Sequence, residues 1–125
     1  MIEYAARAAR NITTQEVVYY PAAVLSGTMK IQAVTAEIEK RSTVSSADVK
    51  AVLDALQFEV KQALADGHTV RLGDLGSFRP TVAAAKGSDG KEEVTARQIS
   101  HVRVRFTPSS QLQAEMATIK VQRKA

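Results

Sequence analysis

Val70-Arg71-Leu72-Gly73-Asp74-Leu75-Gly76-Ser77-Phe78 is the stretch on which the fold turns. From Thr69 to Leu72 the chain alternates polar and apolar side chains, the two-residue period of a strand with one buried face. Gly73-Asp74-Leu75-Gly76 then reads as a tight turn, because the two glycines around Asp74 permit positive φ and a sharp reversal. Alternation resumes over Ser77-Phe78-Arg79-Pro80-Thr81-Val82. Upstream of Gly67 the apolar period is 3.6, downstream it is 2, so helices give way to a sheet at that glycine.

Working back from Gly67, Val49, Val52, Leu53, Leu56, Val60 and Leu64 share one helix face, with Lys50, Asp54 and Lys61 outside it. The stripe is nearly heptad-like, which suits a helix–helix interface. Ser45 with Asp48 three residues on forms a capping-box pattern, and Val44 and Val49 flank it as a hydrophobic staple. Gly67 is the natural C′ stop after a helix reaching about Asp66. An earlier helix is expected behind Thr28 as N-cap, with Ile31, Val34 and Ile38 as its stripe through Arg41. Residues 1–25 read as extended. Ile2–Ala5 and Val17–Tyr20 favour strands, Asn11 and Thr13-Thr14 supply turn material, and Pro21 ends the second run or restricts it to an edge. Alanines at 5, 6, 8 and 9 leave a short helix open for the first run. These strands are expected to join an edge of the fold, together with Ile119–Val121.

Working forward, residues 83–98 are polar and glycine-containing, with Lys86-Gly87-Ser88-Asp89-Gly90-Lys91 as the tip of a long connection. Ile99 to Phe106 is the clearest strand, with Val102, Val104 and Phe106 on one face and His101, Arg103 and Arg105 on the other. Thr107-Pro108 resembles an N-cap with proline at N1, opening a short helix with Leu112 and Met116 on one side. The expected layout is α+β and a single domain over 1–125. It comprises an N-terminal strand extension (1–25), a helical body (28–66), sheet and arm (68–106), a short helix (108–117) and a tail (118–125).

The chain has 125 residues, 45% hydrophobic and 24% charged, but only 5% aromatic, with no Trp and no Cys. A core of Val, Leu, Ile and Ala alone is thin for this length, so some apolar surface is expected to be buried between subunits. Without cysteine there is no disulfide framework, thiolate nucleophile or Cys-based zinc site. No stretch approaches the roughly 20 apolar residues of a membrane span, and Met1-Ile2-Glu3-Tyr4 lacks the layout of a secretory signal. Cytoplasmic localisation is expected. His68 and His101 lack metal-ligand spacing, Ser45-Ser46 and Ser109-Ser110 have capping explanations, and Asp74 is explained by turn chemistry. No catalytic residue, metal, cofactor or small-molecule substrate is expected. Net charge is +4, unevenly spread: residues 26–66 carry five basic and six acidic side chains, whereas ten basic face five acidic from Gly67 onward. Such a distribution suits a polyanion-binding face and equally a solvated surface.

The order of elements and the local motifs together resemble the HU/IHF family of histone-like DNA-binding proteins over about residues 28–117. Val70–Phe78 is similar to a motif of a longer, N-terminally extended HU-like branch, with Leu75 at the middle of the family's Gly-aromatic-Gly turn. Arg105-Phe106-Thr107-Pro108-Ser109-Ser110-Gln111-Leu112 echoes the family's Lys-Phe-Lys-x-Gly-x-x-Leu segment. The spacing between Phe78 and Phe106 leaves room for a β-arm. The resemblance implies an intertwined homodimer, a helical body under a concave β-saddle, and two arms around duplex DNA in the nucleoid, with little base reading. Family arms are rich in Arg and Lys and end in an Arg-Asn-Pro tip. This tip has no proline, and Asp89, Glu92 and Glu93 nearly cancel Lys86, Lys91 and Arg97, so weaker bending is expected.

If the three strands pair, Arg71, Arg79, Arg103 and Arg105 populate one sheet face, suited to phosphate by their planar donors. His101 shares that face and adds charge only when protonated. Lys86, Lys91 and Arg97 are secondary DNA-binding candidates; Lys120, Arg123 and Lys124 fit a solubilising tail better. Val52, Leu56, Val60, Phe78 and Phe106 are expected in a core, partly a dimer core. Tyr19 and Tyr20 are expected to cover a strand edge or that core. Two functional readings follow: largely sequence-independent duplex binding through the sheet, favoured by the strand arginines, or a homodimeric scaffold with weak or lost DNA binding, favoured by the neutral arm.

Overall fold

The computed structural model describes residues 1–84 and 86–125. Its elements run β1 (Ile2–Arg10), β2 (Val17–Val24), α1 (Ile31–Arg41), α2 (Ser46–Ala65), β3 (Val70–Arg71), β4 (Gly76–Ala84), β5 (Ile99–Pro108), α3 (Ser110–Met116) and β6 (Val121–Arg123). The class is α+β, with two separate three-stranded sheets ordered β2-β1-β6 and β3-β4-β5.

Local chemistry accounts for the element ends. Ser45 caps α2, its hydroxyl accepting from the Asp48 N–H at 3.3 Å. At the other end Gly67 adopts φ 85°. Its N–H donates to Leu64 O at 3.0 Å, and the His68 N–H reaches back to Ala63 O at 2.9 Å, the paired bonds of a Schellman stop. Two expected boundaries need correction. Lys30 rather than Thr28 sits at the N-cap of α1, without a side-chain cap bond. Pro108 is the last residue of β5, not the first of a helix, and Ser109 caps α3 by accepting from the Leu112 N–H. Ser109 also ties the helix to the β3–β4 turn: its N–H donates to Leu75 O at 3.1 Å and its hydroxyl to Asp74 O. A serine can make all three bonds; proline, lacking an N–H, cannot.

Phe78 and Phe106 face each other across the β4–β5 ladder, ring centroids 5.0 Å apart and tilted by 53°. Beside them Gly76 is buried at φ 150°. A Cβ there would strike the Thr107 carbonyl oxygen and come within 2.8 Å of the Phe106 ring. Gly76→Ala should therefore lower stability by about 3 kcal/mol, through overpacking plus backbone strain. At Gly73, where φ is 56° and a Cβ meets nothing, alanine should cost only about 1 kcal/mol, the left-handed penalty alone. Urea denaturation of the two variants checks the contrast.

The N-terminal extension forms strands, as expected, but not on an edge of the β3-β4-β5 sheet. β1 and β2 make a hairpin in register Glu3↔Val24 to Arg10↔Val17. Asn11 closes it, its side-chain oxygen accepting from the N–H groups of Thr13 and Thr14. The alanine-rich first run is thus strand, not helix. The C-terminal strand lies two residues later than expected and pairs with β1 in parallel, Ile2↔Val121 to Tyr4↔Arg123.

Only Val49 is a buried large apolar side chain among the described residues, at 5% exposure. The core expected from Val52, Leu56, Val60, Phe78 and Phe106 is not closed within one chain: Val52 is 65% exposed, and Leu56 and Phe106 are exposed as well. α2 lies over the sheet, with Leu56 and Val60 bordering Leu72 and Phe78 across a shallow apolar depression. The rest of that sheet face is uncovered.

Candidate nucleic-acid interface

Antiparallel register decides which side chains share a face, because directly opposed residues point the same way and neighbours in the strand point oppositely. In the β4–β5 ladder Phe78 opposes Phe106, Pro80 opposes Val104 and Val82 opposes Val102. This apolar face is the one toward α2. On the reverse face Arg79 opposes Arg105, Thr81 opposes Arg103 and Ala83 opposes His101. Arg71 opposes Ser77, which precedes Arg79 by two, so Arg71 joins the same face. Four arginines thus converge on the side of the sheet away from the helix.

All four are exposed. Among the described residues the one ion pair is Lys40–Glu37 at 3.3 Å on α1, so no arginine of this face is engaged by a carboxylate. Arg79, Thr81, Arg103 and Arg105 line a shallow depression in the ribbon. Setting Arg79 directly opposite Arg105 is unfavourable in an isolated sheet, since like charges across a ladder repel. An anion laid between them reverses the sign of that interaction. The arrangement costs stability in the free protein and favours a bound polyanion.

Arg103 is positioned rather than loose. Its Nε donates to His101 Nε2 at 2.5 Å, and His101 Nδ1 lies 3.2 Å from Ser100 Oγ. Ser100 Oγ in turn donates to Ala83 O at 3.0 Å. The register shifts between Ala83 and Ala84, making Ser100 the extra residue of a bulge. The His101 ring and Ser100 thus link Arg103 to the Ala83 carbonyl through a chain of contacts. The hydroxyls of Ser77, Thr81 and Thr107 share the arginine face by register. Sequence reasoning passed over them, although the same alternation that found the arginines marks them.

Lys86, Lys91 and Arg97 lie elsewhere. β3 pairs only with Ser77 and Phe78, so beyond Arg79 the sheet continues as a two-stranded ribbon to Ala84 and Ile99. Past that point the connection folds into two short 3₁₀ turns, Lys91–Glu93 and Ala96–Gln98. Gln98 ties it together: its amide donates to Ser88 Oγ at 2.6 Å and Lys86 O at 3.2 Å, and accepts from the Thr95 N–H at 2.8 Å. The tip is a compact knot carrying three basic and three acidic side chains, and it does not bring its cations onto the arginine face.

Among the described residues no group of three or more His, Cys, Asp or Glu could hold a metal ion, and no helix is long and apolar enough to cross a membrane. The fold is thus α+β, with α1 packed on α2, α2 over one face of a ribbon-bearing sheet, and four arginines on the other face. The chain belongs to the HU-HIG family, described as an HU domain fused to wHTH, Ig, or Glycine-rich motif, whose profile matches residues 1–123. No curated protein sequence matches. Among solved structures the fold is similar to a point mutant of HU from Thermotoga maritima (20% identity, TM-score 0.53, covering 70% of this chain and 99% of that one). It is also similar to a Bacteroides vulgatus protein assigned as a bacterial DNA-binding protein, at 13% identity and TM-score 0.69. That match covers 98% of this chain and 47% of the other, so the chain spans just under half of that protein. At these identities the likeness shows the fold. The Bacteroides match includes the β1-β2-β6 sheet, whereas the shorter HU match leaves room for it outside the shared part.

Proposed function

We infer that residues 1–125 act as one HU-like domain, paired as a homodimer, that binds duplex DNA in the nucleoid largely without base readout. The observation that carries this reading is the register that gathers Arg71, Arg79, Arg103 and Arg105, free of carboxylates, on the sheet face away from α2. Guanidiniums in such a row match phosphate oxygens by shape and charge, and phosphate contacts fix position without reading sequence. Pairing is supported by surface area. The chain exposes 10852 Å², whereas a compact monomer of its mass exposes about 6,500 Å². The uncovered apolar face of β4–β5 and the exposed stripe of α2 are where a second chain would lie.

Titrating salt against binding to random duplex tests the reading. With four arginines from each of two chains on phosphates, the log K versus log salt slope should approach about −7. A slope near zero, or no binding at low salt, would overturn it in favour of the second reading, a homodimeric scaffold. One observation favours that alternative: the tip is electrically balanced and folded on itself. Without a proline at the tip, the DNA is organised by the sheet and bent only weakly.

A further inference from the structure

All three tyrosines of the chain, Tyr4, Tyr19 and Tyr20, lie on the small β2-β1-β6 sheet, which the histone-like reading does not use. Tyr19 and Tyr20 lie on β2, an edge strand of that sheet, and do not sit in a core within one chain: Tyr19 is 68% exposed and Tyr20 is also exposed, whereas Tyr4 is half-buried. Register again sorts the faces. Ile2, Tyr4, Ala6, Ala8 and Arg10 of β1 share a face with Val17, Tyr19, Pro21 and Ala23 of β2 and with Val121 and Arg123 of β6. Tyr4, Ala6, Tyr19, Tyr20, Pro21 and Arg123 line a shallow depression at this sheet. The face carries two arginines and no acid.

We propose that this face is a second nucleic-acid site, taking unpaired bases of a single strand on Tyr19 and Tyr4 while Arg123 and Arg10 meet the adjoining phosphates. Alanines between the rings keep the floor low, so an aromatic side chain stands clear of the sheet and offers its ring to a flat ligand. Tyr19 opposes Ala8, four residues along β1 from Tyr4, which sets the two rings about 13 Å apart. Platforms of exposed aromatics beside cations are the means by which proteins bind single strands without base preference. Tyr20 opposes Arg7, on the reverse face by register, and also borders the depression.

The composition supplies its own probe. With no Trp in the chain, intrinsic fluorescence comes from the tyrosines, and all of them are on this sheet. Adding a 20-nucleotide oligothymidine to the full chain should quench tyrosine emission saturably. Tyr19→Ala should weaken binding about tenfold, in the range of one lost stacking contact, and Tyr19→Phe should retain it because the ring rather than the hydroxyl stacks. Arg103→Ala with Arg105→Ala should leave the quenching intact, which separates this site from the duplex-binding face. Absence of quenching would overturn the proposal. So would emission that changes with protein concentration alone, which would mark the face as a protein–protein contact. Loss of quenching in the Arg103/Arg105 variant would assign the single strand to the duplex face instead.

Discussion

Replacing Arg79, Arg103 and Arg105 together by alanine should reduce affinity for random duplex at least a thousandfold near 100 mM salt and flatten the salt dependence by about 5 in log–log slope. The slope follows from counterion release: three arginines in each of two chains give six phosphate contacts, each contributing roughly −0.9. The affinity loss follows from energy. Even at about 1 kcal/mol apiece, a conservative value for an exposed charge-assisted contact, six contacts sum to about 6 kcal/mol, and 1.4 kcal/mol is a factor of ten. The loss should be uniform across sequences, because backbone contacts carry no base information. Folding should not suffer. The three side chains are exposed and lack acidic partners among the described residues, and removing the Arg79–Arg105 opposition relieves repulsion. Fluorescence anisotropy with labelled duplexes of several sequences, alongside thermal melting, measures both. Selective loss for some sequences would mean that the face reads bases, and an unchanged slope would move the interface elsewhere.

Triple replacement of Lys86, Lys91 and Arg97 should have far less effect, since they belong to the connection knotted around Gln98, past the ladder that pairs the arginines, and share that segment with Asp89, Glu92 and Glu93. The sequence already signals this imbalance. Alternation in Val102–Phe106 and around Phe78 is strict, and a period of two leaves no freedom in which side chains share a face once strands pair. That is why the arginine face and the α2 stop at Gly67 were readable in advance. The small sheet was harder. Ala5, Ala6, Ala8 and Ala9 carry little β preference, and the partner that makes them strand is β2 together with a three-residue segment at the far end of the chain. Long-range pairing of that kind leaves no local trace. The Pro108 boundary failed for a local reason: proline fits both a helix's first turn and the end of an edge strand, and the Ser109 hydrogen bonds decided between them. The apolar stripe expected in a core, partly a dimer core, is not closed within one chain, because periodicity reports which face is apolar but not what covers it.

That question of ownership leads to the second large effect. Leu56→Asp should abolish folding at micromolar concentration, and the wild-type Tm should rise with protein concentration. Among the described residues Val49 alone is a buried large apolar side chain, while Val52, Leu56, Val102, Val104 and Phe106 stay exposed in one chain. Across two chains these make ten apolar side chains, and burial at about 1.5 kcal/mol each is comparable with the whole net stability of an ordinary domain, about 5–15 kcal/mol. A monomer that leaves them in water has little to offset its conformational entropy. Folding and pairing are then one equilibrium, and mass action ties stability to concentration. A carboxylate at position 56 would enter that shared core without a partner, a cost of several kcal/mol. Val18→Asp is the control, since Val18 is exposed and sits on the small sheet, away from α2 and β4–β5 in the fold; it should melt close to wild type. Sedimentation equilibrium together with melting at several concentrations decides the matter. A stable monomer at micromolar concentration with a concentration-independent Tm would refute the dimer core, and a folded, dimeric Leu56→Asp protein would place that core away from α2.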